Sequence, residues 1–414
     1  MKKKIPGIKQ KFINVNSKIS KKNNKLLLEE QNNTIKKDLT REKVQKQVKI
    51  RNPGIDFSRI LNMIAIIITH ILIGGGFQDK FKQNYKIILC FLPAINWHNS
   101  CFIFISGYIG YKTSKYSNII YLWFWVFFYS MGIKIFLIKF KPHIYNRSIN
   151  YYDFFPIYTN QYWFFSMYFG MFLFLPIINK GLEIINKSQL KIAFVSFIFF
   201  FVILKDYFKN DIFKENNGNS VLWFLIFYIT GAYFGKFKND NKNISRIKKY
   251  IYCLIYILIY IISTYLCIQS PYFIINTNNP NFKDKIKLFI KLVFVFRNTS
   301  IVEVLQSISI VLFLTSIKYN KYIAKIITFI GPLVFGVYLI HVNPIIYTLF
   351  KKHFHTNYSS NLPLNTVLKI IVLKSLQTFI ICIIIDYFRN LLFRICQIRT
   401  ISILIEKLIS KLFS

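Results

Sequence analysis

The sequence predicts an all-α integral membrane protein, a bundle of about ten transmembrane helices. Three observations carry that expectation. Of the 414 residues, 54% are hydrophobic and 18% aromatic, an apolar share above that of ordinary soluble domains. Apolar runs long enough to cross a bilayer recur along the chain. The cations lie between those runs and at the N-terminus, so the formal net charge of +39 suits anionic lipid headgroups. An interleaved basic and aromatic patch, the mark of a nucleic-acid partner, is not seen.

Residues 1–54 are polar and rich in lysine, and lack the apolar core of a cleaved signal; they read as a mostly disordered cytoplasmic arm. Ten apolar spans follow, at about 57–76, 87–110, 119–138, 161–178, 190–204, 221–235, 250–268, 301–316, 326–350 and 366–388. Together they define a transmembrane domain over 55–388. A further stretch, 286–296, is apolar but too short to span, and reads as interfacial or re-entrant. With the arm inside, the inner loops 111–118, 179–189, 236–249 and 317–325 are short and dense in Lys and Arg, as the positive-inside rule requires. An even number of spans returns the C-terminus to the cytoplasm, and the plasma membrane is the expected location. In the tail, 389–414, Ile401, Leu404, Ile405, Leu408 and Leu412 recur at helical spacing beside Arg399, Lys407 and Lys411. That pattern suits a basic amphipathic helix lying on the membrane.

The first span holds the leading site candidates. A helix turns 100° per residue, so the eleven steps from Arg59 to His70 bring both within about 20° of one face, roughly 16 Å apart along the axis. Asp56 falls within about 40° of the same stripe. Ionisable groups inside a membrane helix are costly in lipid and belong in a protein interior or wet cavity. Plainer roles are open to the same residues: Asp56 as an N-cap, Arg59 as an anchor at the inner face, His70 as an interhelical hydrogen-bond partner. The second span carries Asn96, Trp97, His98, Asn99 and Ser100, then Ile105-Ser106-Gly107-Tyr108. Polar groups this dense need partners. Lys112 and Lys115 follow at the inner face, where two cations attract phosphate or headgroups. In the ninth span His341 precedes Pro344, which is expected to kink the helix. Glu303 is a buried carboxylate candidate without an identified partner. The six cysteines are scattered, mostly within apolar runs, in no metal or redox spacing. No metal and no bound cofactor is expected.

Taken together these stretches resemble the acyltransferase type 3 family of multi-spanning membrane O-acyltransferases, over roughly residues 54–388. The resemblance rests on Asp56, Arg59 and His70 in the first span and on Ile105-Ser106-Gly107-Tyr108 in the second. Tyr162-Trp163-Phe164 opens the fourth, and Phe335 to His341 forms an F-G-x-Y-L-x-H stretch late in the chain. Many members carry an R-x-x-R pair after the second span; here Lys112 and Lys115 keep the charge but not the bidentate fork.

The resemblance implies transfer of an acyl group, often acetyl, from a cytoplasmic donor such as acyl-CoA to a hydroxyl of a polysaccharide or lipid-linked sugar. Acyl-CoA is then the co-substrate, and donor, glycan acceptor and membrane lipids are the partners. His70, Arg59 and Asp56 are the catalytic candidates. Lys112, Lys115, His98, Asn99, Ser106, Tyr108, Trp163 and His341 are the candidates for lining the substrate site. His70 has two routes open, as general base toward the sugar hydroxyl or as an acylated nucleophile. Two other classes remain possible: a transporter or flippase of a lipid-linked sugar, and a non-catalytic membrane scaffold. Against the transporter, the chain has neither an internal repeat nor paired Gly/Pro breaks.

Overall fold

A computed structural model of the protein describes residues 51–74, 95–112, 115–143, 149–208, 210–237, 246–275, 299–357 and 362–412. The chain divides into Met1–Asn52 and Pro53–Ser414, and the described helices all belong to the second unit. The basic arm up to residue 50, the first part of the second span (87–94) and the interfacial segment 286–296 lie outside the described residues.

Every regular element among the described residues is helical. In chain order they are α1 (Pro53–Gly74), α2 (His98–Gly110), α3 (Tyr116–Phe140), α4 (Trp163–Ile184) and α5 (Lys187–Phe197). Then come α6 (Val221–Lys236), α7 (Arg246–Ile275), α8 (Ile301–Ser316), α9 (Lys321–Ile330), α10 (Val334–His341), α11 (Pro344–Asn357), α12 (Leu364–Ile395) and α13 (Ile398–Leu412). Several apolar helices fit a multi-pass membrane protein. Six helical stretches, counting Lys187–Leu204 and Lys321–His341 each as one, reach spanning length and apolarity among the described residues, with three shorter apolar helices beside them.

Local chemistry sets the helix starts. Ser300 caps α8 by accepting from the Glu303 N–H, and Ser220 caps α6 by accepting from the Trp223 N–H. Asn186 and Gln189 form a reciprocal capping box at α5. Beyond α5 the helix widens into a π turn over Ile198–Leu204 before its last turn at Lys205–Phe208.

α1 is the middle of the bundle. It packs against α2, α8, α9, α10 and α12, and 56% of its apolar window is buried. α2 and α6 form the closest helix pair. Gly107 lies against the Tyr228 carbonyl, and Gly231 and Gly235 lie against the carbonyls of Phe104 and Tyr108. Small residues let the two backbones approach in this way, and a Cβ at any of the three would overlap backbone.

Two expectations need correction. The ninth span does not run unbroken from 326 to 350. A 3₁₀ turn at Gly331–Leu333 separates α9 from α10, and α10 ends at His341. Pro344 lacks an N–H, so it opens α11 instead of bending α10, and Asn343 Oδ1 caps the new helix by accepting from the Ile345 N–H at 3.1 Å. The last span is also longer than expected: α12 continues through Arg389 to Ile395, so the tail helix begins only at Ile398, after Gln397 turns the chain at φ 50°.

α13 docks on the N-terminus of α3. Arg399 reaches the Ser117 carbonyl at 3.5 Å and Asn118 Oδ1 at 2.6 Å. Burial alone would raise the Glu406 carboxyl. Hydrogen bonds from the Ser117 hydroxyl and from the Ser117 and Tyr116 backbone N–H groups, with Lys115 nearby, outweigh it and hold the group below its ordinary 4.5. A carboxyl held low contributes stability above its ordinary value and loses it as pH falls. Glu406→Gln is therefore expected to raise hydrogen exchange across 398–412 at neutral pH. Acidifying the wild type below pH 4.5 should lower protection there in the same way, with exchange taken relative to the intrinsic rate at each pH. Unchanged exchange in both would show that the carboxylate does not hold α13.

Candidate functional site

α1 carries polar groups at both ends of one stripe. Near its start Arg59 donates to Asp56 Oδ1 at 2.9 Å, an i,i+3 pair in which Asp56 is fully buried and the Arg59 side chain is 24% exposed. Gly331 packs directly on the Asp56 side chain, in space that a Cβ would fill. Ser106 of α2 donates to the Phe102 carbonyl at 3.0 Å and lies near Tyr168 of α4. Arg59 stands near enough to Tyr168 to act on it electrostatically. Asp56 and Arg59, with Gly331 packed against the carboxylate, form the group at this end of α1.

Eleven residues further on, His70 meets a second histidine. Its Nδ1 lies 3.2 Å from His341 Nε2, and the ring centroids are 5.2 Å apart. His341 Nδ1 in turn lies 2.6 Å from the Val337 carbonyl oxygen. The Tyr347 ring of α11 stands edge-on to His70, with centroids 5.5 Å apart. His98, at the start of α2, places Nε2 3.4 Å from the hydroxyl of Thr69, the neighbour of His70. Three histidines, drawn from three helices, therefore gather at the far end of α1.

The remaining candidates do not join either group. Tyr108 is buried, stacked on Phe104 on the α6 side of α2. Trp163 packs on its neighbour Phe164. Lys112 and Lys115 are exposed, and Lys112 Nζ lies over the Tyr111 ring. The contact of His98 with Thr69 makes α2 antiparallel to α1, so both lysines fall at the Arg59 end of the bundle. They are fourteen or more residues from His98, about 20 Å along the helix.

Several polar residues have partners that the sequence does not show. Tyr162, beside Trp163, is fully buried and accepts from Asn343 Nδ2 at 3.0 Å, which ties the start of α4 to the turn after His341. Glu303 does have a partner: Ser100 donates to it at 2.6 Å, and the Trp223 indole N–H donates to Ser100 at 3.4 Å. Lys205 pairs with Glu215 and with Thr299 nearby. One turn along α8, the buried Gln306 amide has no hydrogen-bond partner among the described residues.

The largest omission is Asp386 and Arg389 on α12. Asp386 Oδ1 accepts from the Trp125 indole N–H at 3.1 Å, the Tyr129 hydroxyl at 2.8 Å and Arg389 Nε at 2.9 Å. Its Oδ2 accepts from the other arm of the guanidinium at 2.6 Å. The guanidinium stacks 3.7 Å from the centre of the Trp125 ring. Gly336 of α10 packs against this carboxylate as Gly331 packs against Asp56. The only sequence signal was a second D-x-x-R in an apolar run, Asp386 to Arg389 after Asp56 to Arg59.

An all-helical bundle with a histidine pair and an arginine on its central helix fits a multi-pass membrane protein with polar groups enclosed among its helices. Residues 52–387 match the family model described as an acyltransferase domain, and the chain belongs to the acyltransferase type 3 family. That membership places it among membrane acyltransferases. Comparisons with curated proteins and with solved structures gave no match.

Removing one partner of an enclosed ion pair leaves an uncompensated charge, whereas replacing both removes the penalty. Arg389→Leu should therefore lower stability by about 3–5 kcal/mol, and the Asp386→Leu/Arg389→Leu double variant should recover part of that loss. Thermal unfolding in detergent measures both. A double variant no more stable than the single would exclude a role as a charge pair.

Proposed function

We propose that the protein transfers an acyl group, in the first instance acetyl, from an acyl-CoA on the cytoplasmic side to a hydroxyl of a polysaccharide or lipid-linked sugar. The observation that carries this reading is an imidazole and a guanidinium on one face of the central helix of a membrane acyltransferase, His70 and Arg59, roughly 16 Å apart along its axis. The donor is a long anionic molecule with its reactive thioester at one end. The span from Arg59 to His70 suits its phosphates at the cytoplasmic end and its thioester deeper in the bundle.

In this scheme Arg59, oriented by Asp56, faces the donor phosphates. Lys112 and Lys115 add positive field at the same end of the bundle. Ser106 borders the donor path beside Tyr168. His98 and Asn99 border the acceptor, with Tyr347 closing the far side of His70. Tyr108 and Trp163 serve packing.

His70 accepts the proton of the sugar hydroxyl as its oxygen attacks the thioester carbonyl. The oxygen–carbon bond forms, the carbon–sulfur bond breaks, and the proton passes from His70 to the departing thiolate. If the imidazole attacks first, a nitrogen–carbon bond forms as the carbon–sulfur bond breaks; the sugar oxygen then attacks the acyl-histidine, the oxygen–carbon bond forms as the nitrogen–carbon bond breaks, and the hydroxyl proton balances the released thiolate.

Protein in nanodiscs with radiolabelled acetyl-CoA and a crude glycan acceptor tests the reading. Wild type should release CoA and label the glycan, and His70→Ala should abolish both while still inserting. Label held on wild-type protein without acceptor would select the acyl-histidine route. Normal turnover by His70→Ala would remove His70 from the chemistry, and no turnover or donor binding by wild type would overturn the acyltransfer reading. Arg59→Gln should raise KM for the donor by about 10-fold or more, the scale of one lost charge-assisted contact of 1.5–3 kcal/mol. Lys112→Gln/Lys115→Gln should shift KM by less than that, and by less still at high salt.

A further inference from the structure

We propose that His341 is a positioning residue: it fixes the tautomer of His70, so that Nε2 is the atom of His70 that takes the proton or the acyl group. Two contacts in series carry this. His341 Nδ1 lies 2.6 Å from the Val337 carbonyl oxygen. A carbonyl oxygen only accepts, so His341 Nδ1 bears the hydrogen. His341 is 6% exposed and no carboxylate is paired with it among the described residues. An imidazolium there would be an uncompensated buried charge, so the ring is neutral and its Nε2 is an acceptor.

That acceptor lies 3.2 Å from His70 Nδ1. His70 therefore carries its hydrogen on Nδ1, and its Nε2 holds the lone pair. His70 makes no other hydrogen bond among the described residues and is half-buried, so its Nε2 stays available to a reactant while His341 is enclosed. The logic is that of a base oriented by a third group, with a neutral imidazole in the place a carboxylate takes in a Ser-His-Asp triad.

The geometry of α10 makes His341 a fixed reference. The segment leading to it is seated by Gly331 against Asp56 and Gly336 against Asp386, and the turn after it is held by Asn343 on Tyr162. Movement of the His341 ring also breaks its own bond to Val337, one helical turn back.

The kinetic arm of the test rests on the acyltransfer reading; the spectroscopic arm does not. Histidine-selective ¹⁵N NMR of the full chain in nanodiscs, with His70 assigned by its loss in His70→Gln, reads the tautomer directly. Wild-type His70 should show a hydrogen-bearing Nδ1 and a bare Nε2. His341→Gln, whose side-chain carbonyl reaches the position of Nε2, should keep that pattern. His341→Leu should move hydrogen onto His70 Nε2. A hydrogen on Nε2 of His70 in wild type overturns the proposal.

In turnover of acetyl-CoA, His341→Leu should lower kcat by about 10²–10⁴-fold with KM little changed, and His341→Gln should recover part of it. Equal kcat in all three proteins, or equal loss in both variants, overturns the positioning role. Should His341→Leu fail to insert, wild type and His341→Gln decide the outcome. A wild type that transfers nothing yet shows the Nδ1 hydrogen would remove the acyltransfer reading and leave the assigned tautomer standing.

Discussion

A carboxylate enclosed in an apolar bundle must be met by a cation and by donors, and two such carboxylates seat the segment on which the histidine pair depends. Asp56 with Arg59 on α1, and Asp386 with Arg389 on α12, are both i,i+3 pairs on helices that pack against each other. Between them runs the segment from Gly331 to His341, with one glycine turned to each aspartate. Any larger residue would push a carboxylate off its partners. The two pairs differ in access. Arg389 is 1% exposed, saturated by Asp386 and covered by Trp125, so it has nothing left to offer a ligand. The Arg59 side chain is 24% exposed. One short motif thus makes an enclosed ion pair in one helix and a partly exposed one in the other.

Most helix positions were legible because apolar length and capping chemistry agree. The span at 301–316 was located to the residue, where Ser300 and Glu303 mark the start. Errors arose where charge and apolarity conflict. Arg389 reads as the end of a span when taken alone; only Trp125, Tyr129 and Asp386 make it an interior residue. Pro344 was read as a kink because nothing in the sequence tells a bent helix from one that ends three residues earlier.

Within the site, helical arithmetic placed Asp56, Arg59 and His70 on one stripe because that relation is local. The contact of His70 with His341 joins residues 271 apart and follows from packing alone. His98 was marked by its polar neighbours, but its contact with Thr69 depends on the antiparallel approach of α2 to α1. Trp163 is a candidate through the Tyr162-Trp163-Phe164 stretch of the family resemblance, while the buried hydrogen bond belongs to Tyr162.

The lengths of α6 and α8 bear on how the protein is made. Each has 16 residues, about 24 Å of helix, against a hydrocarbon layer of roughly 30 Å. α8 also carries Glu303 and Gln306 within its first two turns. Such segments are weak signals for insertion one at a time as the chain emerges. They enter the bilayer stably only when partners are present: α2 with its glycine seam for α6, α1 and α2 for α8. The long, lipid-facing helices therefore partition first, and the polar interior closes last around α1. Lesions in the glycine seam would then act during biogenesis, reducing how much protein reaches the membrane before they alter what the finished molecule does.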